Sequence, residues 1–300
     1  MRSKLLIEQH FHGCYGIDFN KASADDVLDL AQKIKTEGVG GIFPTLVTDS
    51  VENIKSQISI IKTAAQKQKE GAKILGVHLE GIFLNTEKKG IHDEKLFLKP
   101  TIENFNLVAD DFIKIVTLAP ELCSPDLIPY LNKKGIKVQA GHCIGGDLTG
   151  CSGTTHTYNA MSGVVHRGKS TALSALINDN IYTEIIADGV HVSDDALKLL
   201  FKAKPTDKII LMSDCLPCTH SKLKEFTFAG SKIYFDGNRA AGADGTLAGS
   251  SKLLPDIIKI LAQKKLLNTE FINNPYKYHN IDLEGYIEWD ENFNILKVSN

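Results

Sequence analysis

The sequence predicts an α/β fold, a (β/α)8 TIM barrel with a small, reduced β appendage from its carboxyl-terminal part, and three observations carry the prediction. Strand-like runs alternate with amphipathic helical segments, eight such runs can be counted before residue 215, and several end on a chemically capable side chain: His12, Glu80, His142, His156 and Asp214. Alternation demands parallel strands joined by right-handed crossovers, and eight such units close into a barrel. An open doubly wound sheet satisfies the alternation as well. The polar strand ends favour the barrel, whose chemistry gathers at the carboxyl ends of its strands.

The first run is LLIEQHF (5–11), followed by an amphipathic segment at 23–37 and then GVGGIFPTLV (38–47). The helix expected at 51–69 places Val51, Ile54, Ile58 and Ile61 on one face by steps of three and four, and it feeds KILGVHLE (73–80). A helical segment at 101–109 precedes FIKIVTLAP (112–120), and another near 124–134 precedes IKVQAGH (136–142), a β-branched, alternating run that starts after Gly135. The small-residue segment ending at His156 supplies the sixth run. Helices at 170–179 and 193–202 then lead to YTEIIADG (182–189) and KIILMSD (208–214). Two hairpins are expected later, FTFAGSKIYFDGNRA (226–240) and EGYIEWDENFNILKV (284–298), with a loop and a helix between them. The division expected is a barrel of 1–222 and 241–275 and an appendage of 223–240 and 276–300.

Composition narrows the function. A chain of 300 residues with 43% hydrophobic content can bury a large core, and a net charge of −2 with acids and bases interspersed gives no broad footprint for nucleic acid or anionic lipid. No apolar run has membrane-spanning length, and the apolar stretch of MRSKLLIEQHF is too short for a signal segment. Six dispersed cysteines suit reduced thiols, so a cytoplasmic location is expected. Cys215 and Cys218 form a CxxC without a second pair, which reads as two unpaired thiols.

His10 and His12 stand two apart in a strand and so share a face. Glu80 closes VHLE and Asp214 closes IILMSD, and a carboxylate at such a position is costly to bury without a cation or a proton. His92, His166 and His191 flank these ends. Imidazole and carboxylate together suit zinc or another divalent transition metal. Such an ion lowers the pKa of water towards neutrality and polarises a carbonyl, so hydroxide can attack an amide or ester, with an unligated carboxylate moving the proton. Asp214 is the candidate for that shuttle.

In order, HFHGCYGIDF, GIFPTLVTDS, GVHLEGIFLNTEKKGIHD, VTLAPE, AGH, THTYNAMSGVVHR, IIADGVHV, MSD and DGTLAGS resemble the N-acetylglucosamine-6-phosphate deacetylases of the amidohydrolase superfamily. The resemblance runs from about Glu8 to Ser250, and HLEG, THTYNAM and DGTLAGS are its most specific parts. It implies that Glu80, His142 and His156 hold the catalytic metal, that Asp214 is general base and then general acid, and that His10 and His12 match an HxH pair which some members use for a second ion. It further implies substrate contacts at His92, Asn159, Ala160, His191, Leu247, Ala248 and Gly249, and a phosphate contact at Arg167 that involves a dimer partner. The expected activity is metal-dependent hydrolysis of the N-acetyl group of N-acetyl-D-glucosamine 6-phosphate, by a homodimer holding one or two divalent ions, with zinc foremost. Deacetylation of N-acetylgalactosamine 6-phosphate or another N-acyl amine, and a non-catalytic sugar-phosphate-binding barrel, are the alternatives.

HRGKS departs from the family's HREPG just past Arg167, LEGIF replaces LEGPF, and SDC replaces TDA. The family also carries several dozen residues of β structure ahead of the first barrel strand. This chain reaches that strand within a few residues, so its appendage is expected from the carboxyl-terminal hairpins alone.

Overall fold

The computed structural model describes residues 1–299. Its strands are β1 (Arg2–Lys4), β2 (Leu6–Phe11), β3 (Val39–Val47), β4 (Lys73–Ile74), β5 (Val77–Glu80), β6 (Ile113–Leu118), β7 (Lys137–Ala140), β8 (Gly153–Thr154), β9 (Tyr182–Ile185), β10 (Ile209–Leu211), β11 (Glu225–Phe228), β12 (Ser231–Phe235), β13 (Ala240–Gly242), β14 (Tyr286–Trp289) and β15 (Ile295–Ser299). Its helices are α1 (Ala24–Thr36), α2 (Val51–Lys67), α3 (Ile102–Asn106), α4 (Leu127–Lys133), α5 (Thr171–Ile177), α6 (Asp194–Ala203), α7 (Leu254–Gln263) and α8 (Asn274–His279).

Eight strands form one parallel path in the order β10-β9-β8-β7-β6-β5-β3-β2, with β4 paired to β3 beside it. The eight expected runs are therefore neighbours in chain order. The run 73–80 divides into β4 and β5 around Gly76, where a Cβ would lie 2.9 Å from the Phe112 carbonyl oxygen. The ends of the path approach each other: His12 N–H donates to Cys215 O and Asp214 N–H to His10 O, each at 2.9 Å. Both β3 and β2 are buried along their whole length, as strands covered on both faces are.

The helices form where the sequence gives both a start and an apolar stripe. Ser23 accepts from Asp26 N–H while the Asp26 carboxylate accepts from Ser23 N–H, a capping box that opens α1, and Val27, Leu30, Ala31 and Ile34 are its buried face. Ser50 caps α2, which buries Ile54, Ile58 and Ile61. Each such side chain contributes about 1.5–3 kcal/mol on leaving water, so the covering helices are held by packing more than by propensity. Helices α3, α4 and α5 are shorter than their sequence patterns.

The two late hairpins belong to separate antiparallel sheets. One is β11-β12-β13; the other is β1-β14-β15, in which β1 from the amino-terminal end pairs with β14. Trp289 fixes that second sheet: its indole N–H donates to Ser3 Oγ at 2.8 Å and its ring is buried. Helix α8 lies between these segments in sequence, and the hydroxyl of its Tyr276 donates to the Leu5 carbonyl at 2.8 Å.

Candidate metal centre and substrate cavity

The carboxyl ends of the parallel strands bring His10 of β2, His12 just after it, Glu80 of β5, His142 after β7, His156 after β8 and Asp214 after β10 together. His142, His156 and Asp214 have left-handed backbone, with φ of 48°, 30° and 53°. Non-glycine residues hold this conformation only where the surroundings impose it, which is common at functional sites. Close packing imposes it at Asp214, whose carbonyl accepts from Ser250 N–H at 2.7 Å; a Cβ on the neighbouring Gly249 would stand 2.2 Å from that oxygen. Only glycine lets the 247–249 loop lie there.

Two groups of potential ligand atoms share Glu80. In the first, His156 Nε2 is 2.9 Å and His142 Nε2 3.3 Å from Glu80 Oε1, and the two nitrogens are 3.1 Å apart. In the second, Glu80 Oε2 is 3.2 Å from His10 Nε2 and 3.1 Å from His12 Nε2, and Asp214 Oδ1 is 3.5 Å and 3.0 Å from the same nitrogens. With bonds of about 2.0–2.1 Å, a tetrahedral ion sets its ligand atoms about 3.3 Å apart, close to these separations.

Proton placement points the same way. His142 Nδ1–H donates to Lys88 O at 2.7 Å and His12 Nδ1–H to Thr45 O at 3.2 Å, so in the neutral rings each Nε2 directs a lone pair at the carboxylates. A lone pair facing a carboxylate repels it unless a cation or a proton intervenes. Another buried ring nitrogen, His10 Nε2, makes no hydrogen bond although it lies 3.2 Å from Glu80 Oε2. The donor set and this orphaned atom fit a divalent cation.

The electrostatics also demand positive charge. Burial pushes Glu80 up, but the charge of His10 and the imidazoles of His10, His12 and His142 set against the carboxylate outweigh it and hold the carboxyl well below the usual range. Burial opposes protonation of His12, yet Asp214 and Glu80 raise it to about 9. Asp214 is lowered overall, the His12 hydrogen bond and the charges of His10 and His12 overcoming burial.

A cavity of about 330 Å³ opens over these residues, within the size range of small-ligand sites. His92, Asn159, Ala160, His191, Leu247, Ala248 and Gly249 all line it. Thr48 Oγ1 lies 2.8 Å from His92 Nδ1 and accepts from Ile82 N–H; its hydroxyl proton turned to Nδ1 leaves the ring an Nε2–H donor. Burial, then the charge of His142, holds His92 down at about 3, hence neutral. His191 is held between Asp188 Oδ2 at 2.8 Å and Ala248 O at 2.9 Å, so both ring nitrogens donate, and Asp188 raises its pKa against the effect of burial. In this conformation it ties down the 247–249 loop.

Arg167 stands apart: residues 163–169 are exposed and do not line the cavity. Sequence reading also passed over Lys88 and Phe228, which line it, and Glu184, which is fully buried with Oε2 3.2 Å from His10 Nδ1. Phe228 comes from β11, so the first late hairpin forms part of the cavity wall.

No protein-family model matches the chain. Over 266 residues, 85% of this chain and 69% of the relative, it is 31% identical to the N-acetylglucosamine-6-phosphate deacetylase of Haemophilus influenzae. The chain belongs to the N-acetylglucosamine-6-phosphate deacetylase family. Within that family it is 34% identical to the Bacillus subtilis member over 82% of this chain and 65% of the relative. The N-acetylgalactosamine-6-phosphate deacetylase of Escherichia coli O157:H7 is 31% identical over 82% of this chain and 68% of the relative. The chain thus spans about two thirds of the length of these relatives. Crystal structures of the deacetylases from Pasteurella multocida and Thermotoga maritima superpose with a TM-score of 0.90 each at 26% identity, covering 99% of this chain and 84% and 86% of theirs.

Proposed function

We propose that this protein is a metal-dependent deacetylase that hydrolyses N-acetyl-D-glucosamine 6-phosphate to glucosamine 6-phosphate and acetate. The observation that carries the reading is the triangle of Glu80 Oε1, His142 Nε2 and His156 Nε2, with sides of 2.9–3.3 Å, under a cavity of substrate size. The likeness in sequence to deacetylases of this name supports it.

Glu80, His142 and His156 would hold one ion, zinc by the chemistry of the donors, and His10 and His12, with Glu80, a second. Such an ion polarises the acetyl carbonyl and lowers the pKa of water when bound. Asp214 takes a proton from the attacking water and returns it to the departing amine nitrogen. His92 offers an N–H to the substrate, while Asn159, Ala160 and the 247–249 loop enclose the sugar and His191 holds the loop. Arg167, exposed in its own chain, grips the phosphate in the cavity of a partner, in a cytoplasmic homodimer; a guanidinium suits that bidentate task. The hydrogen bonds from His12 and Asp214 across the ends of the sheet support reading it as a closed (β/α)8 barrel.

The similarity to the E. coli galactosamine enzyme keeps the 4-epimer as a second reading. Against a non-catalytic binder stands a complete set of capable side chains at all six positions. Acetate release from both N-acetylated sugar phosphates, with and without metal, tests the proposal. Turnover of the glucosamine compound is expected, and release from neither would overturn it.

A further inference from the structure

Beneath the His10/His12 group lies a buried polar arrangement that the proposed chemistry does not use. Glu184 projects from β9 and is 1% exposed; its Oε2 is 3.2 Å from His10 Nδ1, and its Oε1 accepts from Gln9 Nε2 at 2.5 Å. Gln9 is held in turn, its Oε1 lying 3.0 Å from His279 Nε2, and the His279 ring stacks on Phe43 at 4.3 Å. His10 is therefore flanked by two carboxylates, Glu184 at Nδ1 and Glu80 at Nε2, each at 3.2 Å.

A neutral imidazole has one proton to give. On Nε2 it would close the group by bonding Glu80; on Nδ1 it bonds Glu184 and leaves the Nε2 lone pair free for a cation. The orientation favours the second state, because buried His10 Nε2 makes no hydrogen bond even though Glu80 Oε2 lies 3.2 Å and Asp214 Oδ1 3.5 Å from it, whereas Nδ1 bonds Glu184. Main-chain carbonyls hold the Nδ1 atoms of His12 and His142, whereas a carboxylate, the stronger acceptor, holds that of His10. Outer groups of this kind fix the orientation of a ligating ring and raise its basicity.

We propose that Glu184, clamped by Gln9 and His279, is the positioning residue that sets how tightly the His10/His12 group holds its ion. The inference rests on the two-ion reading above. It predicts a selective effect, since the hydrogen bonds of the Glu184 side chain go to Gln9 and His10, while only its main-chain carbonyl reaches the other group's surroundings, accepting from Thr157 N–H at 2.8 Å.

The test is titration of the metal-free protein with Co²⁺, following visible absorbance together with bound metal by equilibrium dialysis. Wild type should take up two ions in two steps. Glu184→Gln should weaken the second step by about 10–100-fold and move the first less than threefold. Gln9→Met, which removes only the clamp, should weaken the second step by a smaller factor and serves if Glu184→Gln does not fold. Unchanged second steps in folded variants would overturn the inference, as would equal weakening of both steps, which marks a general structural role. Wild type saturating at one ion would overturn the two-ion reading and this inference with it.

Discussion

Glu80→Gln probes the centre most sharply, because this one side chain faces all four imidazoles, at 2.9, 3.1, 3.2 and 3.3 Å. The substitution keeps shape and volume but removes the charge, and the amide NH₂ that replaces one carboxylate oxygen has no lone pair to offer a cation. Removing one partner from a buried charged set costs about 3–5 kcal/mol. That corresponds to roughly two to four decades in metal affinity. Competition against a chromophoric chelator reads this directly. Thermal melting reads it independently: wild type should gain about 2.7 kcal/mol with free ion at 100 times its Kd, and the variant almost nothing at the same concentration. Affinity within tenfold of wild type, together with a full metal-induced rise in melting temperature, would refute the assignment of Glu80 as the shared ligand.

Three further outcomes are expected. Asp214→Asn should lower kcat for acetate release by about 10²–10⁴-fold while the ion at Glu80, His142 and His156 binds as before; retained turnover would place the proton shuttle elsewhere. Arg167→Ala should raise KM for the phosphorylated sugar and leave the slow turnover of the unphosphorylated sugar unchanged, and equal loss on both would contradict a phosphate role. His220 gives a pH signature away from the site: hydrogen bonds to Asp256 and then Glu37 raise it to about 10. Its folded value thus exceeds the ordinary value near 6.5, so its stabilisation is full below pH 6.5 and is lost as pH rises through 10. Because the side chain is 33% exposed, solvent screening leaves about 1 kcal/mol. His220→Asn, chosen because asparagine tolerates the φ of 52° at this position, should depress the melting temperature at pH 6 and hardly at pH 10.5.

Much of this candidate centre is legible in the sequence because a parallel strand presents its last side chain at one edge of the sheet. A His, Glu or Asp closing an apolar run is conspicuous, and Glu80, His142 and Asp214 stand out on that ground. Other parts are hidden for physical reasons. YTEI reads as an alternating strand with its glutamate in solvent, but both faces of β9 are covered, and Glu184 points into the interior instead. β8 is only two residues long, so the path to His156 reads as a loop as easily as a strand. The pairing of β1 with β14 sets Arg2 opposite Glu288, and no local pattern announces a partner so distant in the chain. Arg167 is conspicuous beside His166, but its place in the exposed segment 163–169, away from the cavity, has no local signal in the sequence.

The most direct test of convergence on one cation is anomalous diffraction at the zinc edge from crystals of zinc-loaded protein. A peak is expected about 2.0–2.2 Å from Glu80 Oε1, His142 Nε2 and His156 Nε2. Zinc found elsewhere, with that triangle empty, would contradict it.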